Sequence, residues 1–334
     1  MRHTYIIAEV GNTHEGSFGL AQCFIRSAAE CGADAIKFQT HLFDAESLPD
    51  APNPPYFHGE PRKAYFDRTG FSLEQWTRLR RLAEEEYGLD FLSSPFSLEA
   101  VDLLEQAGVK GYKIASGEVS NLPLLIRVAQ TGKKTYLSSG MSSFAELDAA
   151  VAALRENDAP ETVLLQCTSE YPCPPEAAGL NLLGELAARY GLPVGFSDHT
   201  LGPAVPLAAV CLGAVVLEKH FTLSKRMYGP DPPFSAEPAE FKLLADAVRD
   251  LDKALDARLD KDAKAASLAG MKRIFEKSVV AARDLPAGAV LAPGDLAYKK
   301  PGDGIPAARF RDVLGRKLAS AVGRDSQLAW DDLA

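Results

Sequence analysis

Two stretches near the middle of the chain, "VGFSDHTLG" (residues 194–202) and "AVVLEKHFT" (residues 214–222), decide which fold this sequence adopts. Each begins with an apolar run typical of a buried strand, and each then breaks into polar side chains, among them His199 and His220. A buried strand has no packing reason to end in polar groups. Two neighbouring strands that present a histidine at the same end predict a parallel sheet with a polar site at one edge.

The same pattern recurs through the first three quarters of the chain. Short apolar runs alternate with amphipathic segments, two of which begin with capping boxes, Ser72 with Gln75 and Ser143 with Glu146. Eight strand–helix units in about 250 residues predict an α/β fold, a (β/α)8 TIM barrel, over residues 1–256, with a doubly wound open sheet as the alternative. The predicted strands are "TYIIAEVG", "DAIKFQT", "DFLSSPF", "GYKIASGE", "KTYLSSGM", "TVLLQCTS", "LPVGFSDHT" and "AVVLEKHFT".

The rest of the chain predicts a second domain. A polar, alanine-rich linker covers residues 257–270, and residues 271–334 contain short β-like runs broken by "LPAG", "APGD" and "KPGDG" turns. These residues predict a small β-rich domain. Within the barrel, the proline-rich connection at residues 42–71 has no clear period. Because it follows the second strand, we expect it to stand over the carboxyl-terminal mouth of the barrel.

Composition excludes several classes of protein. The net charge of -9 argues against nucleic-acid binding, which needs a basic face. The chain has no run of about 18 apolar residues, so no membrane span is expected, and its first residues lack the pattern of a signal peptide. The five cysteines are an odd number without a Cys-x-x-Cys pair, which fits a reducing, cytoplasmic location.

All eight predicted strands end in polar residues. In a (β/α)8 barrel these ends meet at one mouth, where the chemistry of this fold takes place. If these residues served only to stabilise the fold, each buried charge among them would need a partner of opposite charge inside the protein. We therefore expect one convergent site, which draws on Glu9, Lys37, Gln39, His41, Ser93, Ser94, Lys113, Ser116, Glu118, Ser138, Ser139, Thr168, Ser169, Tyr171, Ser197, Asp198, His199, Glu218 and His220.

The residue types at these ends indicate two kinds of ligand. Lys37 and Lys113, beside several serine hydroxyls, suit a compact anion such as a phosphate or a carboxylate. His199 and His220 end what should be adjacent strands, about 4.8 Å apart. Neutral imidazoles at that spacing can share one divalent metal ion and leave coordination positions open for water and substrate.

Motifs along nearly the whole chain resemble those of the N-acetylneuraminate (sialic acid) synthase family, which includes legionaminate- and pseudaminate-type enzymes and spore-coat-polysaccharide members. They are "AEVGNTHEG", "IKFQTH", "FLSSPFS", "YKIASGE", "LSSGM", "CTSEYP", "GFSDHT", "LEKHFT", "GPD" with "FSAEP", and "KKPGDGI". The resemblance implies a barrel followed by an antifreeze-like (SAF) domain. It also implies condensation of phosphoenolpyruvate with an open-chain N-acetylated hexose, with C–O cleavage and release of phosphate, in a homodimer whose SAF domain reaches the partner's active site.

The resemblance also implies roles for individual residues. Phosphoenolpyruvate would be held by Lys37, Ser94, Lys113, Ser116, Ser138, Ser169 and Ser197. The divalent cofactor, Mn²⁺ or Mg²⁺, would be bound by His199 and His220, and the sugar by Gln39, Tyr171, Asp231 and Lys300. The candidate catalytic residues are Glu9, Lys37, Lys113 and Glu118, with Glu118 orienting or deprotonating water.

Departures from the family pattern leave the sugar open. Lys300 stands where family members usually carry Arg, and Pro232 where many have His. Gln166 and Ser169 replace the His and Asn of members that make neuraminate itself, and "QCTSEYP" looks more like legionaminate- or pseudaminate-type members. The acceptor is therefore expected to be N-acetylmannosamine or a 6-deoxy di-N-acetyl hexose.

Two alternatives remain open at the level of sequence. The chain could be another phosphoenolpyruvate-using 3-deoxy-sugar-acid synthase or aldolase, which would turn over only phosphorylated pentoses or tetroses. It could also be a non-catalytic carbohydrate-binding homologue, which would bind sugar without releasing phosphate.

Overall fold

A closed barrel of eight parallel strands forms the first part of the molecule, which is described by a computed structural model over residues 2–53 and 59–334. Each strand pairs with the next, and the first pairs with the eighth, so the predicted TIM barrel is confirmed and the open sheet is excluded. The strands are β1 (Tyr5–Gly11), β2 (Ala35–Thr40), β3 (Asp90–Pro95), β4 (Gly111–Ile114), β5 (Lys134–Ser138), β6 (Thr162–Cys167), β7 (Val194–Asp198) and β8 (Val216–His220).

Helices cover the outside of the barrel and bury the outward side chains of the strands. Both predicted capping boxes are present, at Ser72 and at Ser143. The helices up to the end of the barrel are α1 (Phe18–Glu30), α2 (Phe43–Glu46), α3 (Arg62–Thr69), α4 (Leu73–Arg81), α5 (Leu98–Ala107), α6 (Leu122–Ala129), α7 (Phe144–Glu156), α8 (Leu182–Tyr190), α9 (Ala204–Cys211) and α10 (Pro238–Asp256). Within the described ranges, no helix combines the length and the apolar character needed to cross a bilayer.

The inside of the barrel is layered by the two-residue period of the strands. Its lower layer is apolar and buried, and consists of Ile7, Ala35, Leu92, Tyr136, Val163, Leu165 and Val216. Two residues further along five of the strands, the inward side chains become polar at Glu9, Lys37, Ser94, Ser138 and Glu218. The apolar layer therefore forms a closed floor beneath the polar mouth.

The long connection between β2 and α4 is more ordered than its sequence pattern predicts. It contains the helices α2 and α3, of which α3 ends at Thr69, before Gly70. Residues 54–58 of this connection lie outside the described residues. The described part does stand over the mouth, because Arg62, Tyr65 and Phe66 line a cavity there.

A second compact unit runs from Arg258 to Ala334. It begins with two helices, α11 (Lys261–Ser267) and α12 (Ala269–Phe275), so much of the segment interpreted as a linker is helical. The strands β9 (Ser278–Ala281) and β10 (Leu296–Lys299) pair antiparallel, and isolated β-bridges connect the loops around them. A short helix, α13 (Phe310–Val313), completes a unit with its own buried core.

Candidate active site

The register of the barrel strands brings charged residues distant in sequence into direct contact. Glu9 of β1 lies opposite Lys37 of β2 on one side and opposite His220 of β8 on the other. Ser197 of β7 lies opposite Glu218 of β8. Closure of the barrel, which pairs its first strand with its last, therefore assembles the site.

Two lysines and two carboxylates form a buried charge network at the base of the mouth. Lys37 Nζ lies 2.7 Å from Glu9 Oε2 and 3.9 Å from Glu218 Oε2. Lys113 Nζ donates a hydrogen bond to Glu218 Oε1 at 2.8 Å, and Lys37 Nζ donates one to Ser94 Oγ at 3.2 Å. None of the four charged side chains is more than 5% exposed. Because each charge has an opposite partner, the cost of burying all four is reduced.

Burial and the nearby lysines have opposing effects on the pKa values of Glu9 and Glu218. Burial alone would raise the pKa of Glu218, but Lys113 and Lys37 together lower it to about 2. For Glu9 the effect of burial is the larger, and its pKa is raised in spite of the attraction of Lys37. Glu9 is therefore the carboxylate of this network that can hold a proton, whereas Glu218 stays ionised.

Serine hydroxyls surround the charge network. Ser116 Oγ and Ser138 Oγ are hydrogen-bonded at 2.8 Å. Ser169 Oγ is buried and has no hydrogen-bond partner among residues 2–53 and 59–334. A Cβ on Gly140 would overlap both Ser116 Oγ and Ser169 Oγ. Glycine at this position thus allows the backbone to pass close to both hydroxyls.

His199 and His220 lie side by side at the mouth, at the ends of the adjacent strands β7 and β8, with ring centroids 5.4 Å apart. His199 Nδ1 lies 2.7 Å from the carbonyl oxygen of Thr168, and donation to this oxygen leaves the lone pair on Nε2. His220 Nδ1 is buried and has no hydrogen-bond partner in the described part of the chain. Burial, together with His199, lowers the pKa of His220 well below its usual range, so this ring is neutral.

This pair fits one divalent metal ion. A buried ring nitrogen without a partner costs free energy, which a metal ion would offset. The bond from His199 to a carbonyl oxygen is of the kind that orients metal-ligating histidines. In residues 2–53 and 59–334, no group of three His, Cys, Asp or Glu side chains is arranged to share an ion. Two imidazoles alone would leave coordination positions open for substrate and water.

The mouth contains two adjoining cavities. The inner cavity, of about 60 Å³, is lined by the charge network, four serines and both histidines. The outer cavity, of about 380 Å³, opens above it. The two adjoin, because both are lined by Gln39, Ala115, Ser116, Tyr171 and His220. A small ligand in the inner cavity would therefore meet a larger one in the outer cavity beside His220.

Aromatic side chains dominate one wall of the outer cavity. The His41 ring is stacked between Phe66 and Phe96, with ring centroids 3.8 Å and 4.0 Å away. Asp231 lines another wall, and burial and the nearby Glu9 raise the pKa of Asp231 to about 7. The outer cavity thus combines apolar surface with a carboxyl group that is partly protonated near neutral pH.

Most of the residues predicted from the sequence meet in this mouth. The inner cavity is lined by Glu9, Lys37, Ser94, Lys113, Ser116, Ser138, Ser197, His199 and His220, and the outer cavity by Gln39, Ser169, Tyr171 and Asp231. Glu118 lines neither cavity, and its carboxylate accepts a hydrogen bond from Asn121 Nδ2 at 2.8 Å. Lys300 belongs to the C-terminal unit, where its Nζ lies 4.9 Å from the centre of the Phe275 ring. Its contact with the sugar stays a prediction.

Two residues of the site have no individual role predicted from the sequence. Glu218 stands out in the sequence only as one of the polar strand ends, yet it contacts both lysines. Val216, Glu218 and His220 alternate along β8, and this pattern indicates that the side chain of Glu218 points into the site. Phe66 has no such local pattern, because it reaches the mouth from the connection after β2.

Comparison with known proteins identifies the family of the chain. Residues 24–259 match the NeuB family and residues 276–334 match the SAF domain. N,N'-diacetyllegionaminic acid synthase of Campylobacter jejuni is 39% identical over 337 residues, which cover 98% of this chain and 99% of that protein. Human N-acetylneuraminate-9-phosphate synthase is 34% identical over 331 residues, which cover 97% of this chain and 91% of that one.

A solved structure supports the same family assignment. The crystal structure of N-acetylneuraminic acid synthetase from Leptospira borgpetersenii, in complex with citrate, matches with a TM-score of 0.69 at 32% identity. The match covers 80% of this chain and 91% of that one. The chain therefore belongs to the NeuB family and carries a C-terminal SAF domain, as its motifs predicted. Its family and relatives indicate a synthase of sialic-type (nonulosonic) acids.

Proposed function

We propose that this enzyme condenses phosphoenolpyruvate with the open-chain form of an N-acetylated hexose, giving a nonulosonic acid and inorganic phosphate. One observation carries the proposal. A small inner cavity with two buried lysines adjoins, beside His220, an outer cavity whose volume is typical of a site for a sugar-sized ligand.

The inner cavity suits phosphoenolpyruvate. Lys37 and Lys113 provide ammonium donors, and the surrounding serines provide hydroxyl donors, for the phosphate and carboxylate groups. In the free protein both lysines are neutralised by carboxylates. The entering anion would compete with Glu9 and Glu218 for the two ammonium groups. Because the pKa of Glu9 is raised, this residue is the carboxylate of the pair that accepts a proton more readily during the reaction.

His199 and His220 would hold the divalent cofactor, Mn²⁺ or Mg²⁺. Such an ion, when bound, would supply Lewis-acid polarisation of the sugar aldehyde. The neutral state of the His220 ring and its unpartnered Nδ1 support this assignment.

The residues of the chain position the reactants and accept protons. The two lysines and the serines fix the phosphoenolpyruvate so that its enol carbon faces the outer cavity, where it attacks the aldehyde. Water then adds to the carbon that carries the phosphate, and phosphate leaves by C–O cleavage, stabilised by the lysines. Glu9 lines the inner cavity beside the lysines and is placed to accept a proton from that water. Glu118 lies outside both cavities, so we assign this role to Glu9 instead.

The outer cavity favours an acceptor with apolar substituents. The stacked rings of Phe66, His41 and Phe96 offer a surface for methyl and acetyl groups. Relatives from Campylobacter jejuni and Legionella pneumophila are N,N'-diacetyllegionaminic acid synthases. We therefore propose a 6-deoxy di-N-acetyl hexose as the preferred acceptor, with N-acetylmannosamine as the second candidate.

The decisive experiment measures phosphate release from phosphoenolpyruvate across a panel of N-acetylated and di-N-acetylated hexoses, with and without EDTA. Turnover that requires one of these sugars and stops in EDTA would support the proposal. With phosphoenolpyruvate labelled by ¹⁸O at the bridging oxygen, C–O cleavage predicts that the label appears in the released phosphate. Turnover of phosphorylated pentoses or tetroses alone would instead identify another phosphoenolpyruvate-using synthase. Sugar binding without phosphate release would identify a carbohydrate-binding homologue.

We further propose that the enzyme is a cytoplasmic homodimer in which the SAF domain reaches the partner's active site. The five cysteines are unpaired, which is typical of a reducing compartment. Residues 258–334 carry 14 Lys and Arg against 10 Asp and Glu, whereas residues 1–257 carry 22 against 35. Opposite net charges would favour contact between the C-terminal unit of one copy and the barrel of another. Light scattering tests the dimer, and a monomer with full activity would contradict it.

A further inference from the structure

The residues that immediately precede the two histidines pair with each other on the outer side of the barrel wall. Side chains alternate along a strand, so Glu218 and His220 point into the mouth and Lys219 points outward between them. In the register of β7 and β8, Asp198 lies opposite Lys219. Lys219 Nζ donates a hydrogen bond to Asp198 Oδ2 at 2.5 Å.

The same pair fixes the backbone on both sides of His199. Asp198 Oδ1 accepts hydrogen bonds from the Thr200 N–H at 2.9 Å and from the Thr200 hydroxyl at 2.8 Å. Lys219 Nζ also donates to the carbonyl oxygen of Thr200 at 2.8 Å. The residues before and after His199 are therefore bonded to each other and to the residue that precedes His220.

The charged side chains of this network are largely buried. The side chain of Asp198 is 0% exposed and that of Lys219 is 7% exposed. Buried hydrogen bonds between charged groups are short and restrictive in geometry, and salt screens them little. The network can therefore hold the ends of β7 and β8 at a fixed separation.

The ring of His220 has fewer contacts that orient it than the ring of His199. Its Nδ1 has no hydrogen-bond partner in the described ranges, whereas the ring of His199 is oriented by the Thr168 carbonyl. The His220 ring packs edge to face with Tyr171, with ring centroids 5.8 Å apart, and its position relative to His199 also follows from where the end of β8 lies. The Asp198–Lys219 pair ties that strand end to the His199 segment.

We propose that Asp198 and Lys219 are positioning residues, which keep His199 and His220 at the separation needed to share one divalent cation. This inference rests on the proposed function, because it assigns the cation to the two imidazoles. Neither residue reaches the inner or the outer cavity, so their effect on a ligand would be transmitted through the histidines.

The test compares the full-length chain with the double variant Asp198→Asn/Lys219→Met, which removes both charges and leaves no lone charge buried. Mn²⁺ affinity of the folded protein is measured by calorimetry well below the unfolding temperature. Partners that bond directly to metal ligands typically contribute about 10–100-fold to metal affinity. Asp198 and Lys219 act through the neighbouring backbone, so we expect a weakening at the lower end of this range, about 10-fold. Lys219→Arg, which keeps the positive charge of the side chain, should have an Mn²⁺ affinity closer to that of the wild type.

A matched control is available within the barrel. Asp252 is 3% exposed and, like Asp198, accepts hydrogen bonds from the backbone N–H and the hydroxyl of one threonine, Thr4, at 2.8 Å and 2.7 Å. Thr4 precedes β1, at the opposite end of the barrel from the mouth. Asp252→Asn should therefore lower stability without changing Mn²⁺ affinity.

A second measurement separates positioning from stability and does not need the metal. Long-range ¹H–¹⁵N spectra of the histidine rings should show altered shifts for His199 and His220 in the double variant and unchanged shifts in Asp252→Asn. Wild-type affinity and wild-type ring shifts in the folded double variant would overturn the proposal. If the wild type itself bound no Mn²⁺, the metal assignment would fail, and the ring shifts alone would decide whether the pair positions the histidines. If the double variant did not fold, Thr200→Val, which removes one bond to Asp198, would take its place with a smaller expected effect in both measurements.

Discussion

Replacement of Lys113 by methionine tests whether the charge network binds an anion or only stabilises the barrel. Lys113 Nζ donates to Glu218 Oε1 at 2.8 Å and lines the inner cavity. Methionine keeps most of the unbranched stem and removes the charge. We expect a loss of stability, because Glu218 loses a partner, and a separate loss of affinity for phosphoenolpyruvate, because the anion loses a donor.

The size of the stability loss follows from the structure. Removal of one partner of a buried ion pair costs about 3–5 kcal/mol. Depression of the Glu218 pKa from 4.5 to about 2 corresponds to a net stabilisation on the order of 3 kcal/mol, because the lysines and hydrogen bonds outweigh the effect of burial. Lys37, which lies 3.9 Å from Glu218, remains in the variant and retains part of this stabilisation. We therefore expect Lys113→Met to lower the free energy of unfolding at pH 7 by about 2–3 kcal/mol.

The pH dependence provides an internal check on this estimate. A carboxylate with a lowered pKa in the folded state stabilises the fold above its unfolded pKa, and this stabilisation is lost as the pH falls. For Glu218 the window lies between pH 4.5 and about 2. The wild type should lose more stability across that window than Lys113→Met, as measured by urea unfolding at several pH values.

The assay pairs urea unfolding with the KM for phosphoenolpyruvate. Loss of a hydrogen bond from a charged donor weakens binding by about 1.5–3 kcal/mol, so the KM for phosphoenolpyruvate should rise about 10–100-fold. The double variant Lys113→Met/Glu218→Gln should recover most of the stability but not the affinity, because no buried charge is left without a partner. Lys110→Met, which removes an exposed lysine just before β4, is the control and should change neither quantity. Recovery of a wild-type KM in the double variant would refute the reasoning, since Lys113 would then act only by neutralising Glu218.

Three further predictions follow from the site. His199→Ala or His220→Ala should abolish metal-dependent turnover while circular dichroism shows an intact fold, and activity that persists in EDTA would contradict the metal assignment. Because the pKa of Asp231 is raised to about 7, its stabilisation of the fold should be lost as the pH rises from about 4 to 7, and Asp231→Asn should flatten this slope in urea unfolding. Deletion of Met271–Ala334 should impair use of the sugar more than folding of the barrel, and full activity of the shortened chain would rule out a SAF domain that reaches an active site.

The barrel could be predicted from sequence because its elements are encoded locally. Apolar runs, capping boxes at Ser72 and Ser143, and polar strand ends are each visible within a few residues, and the fold requires all such ends to meet at one mouth. The connection after β2 could not be predicted in the same way. Its helix α3 lacks a side-chain cap, and its place over the mouth depends on packing between Phe66 and His41, which the local sequence does not reveal.

The sequence by itself determined which side chains reach the mouth of this barrel, since the two-residue period of a strand dictates that Lys37, Lys113, Glu218 and His220 point inward. Only the tertiary structure decided which of them touch. Glu9 lies opposite His220 because the first strand pairs with the last, and Glu118 accepts a hydrogen bond from Asn121 because the chain turns after β4. The physical reason is one of range: alternation is a property of neighbouring residues, whereas contact distances depend on the closure of all eight strands and on side chains packed from distant segments.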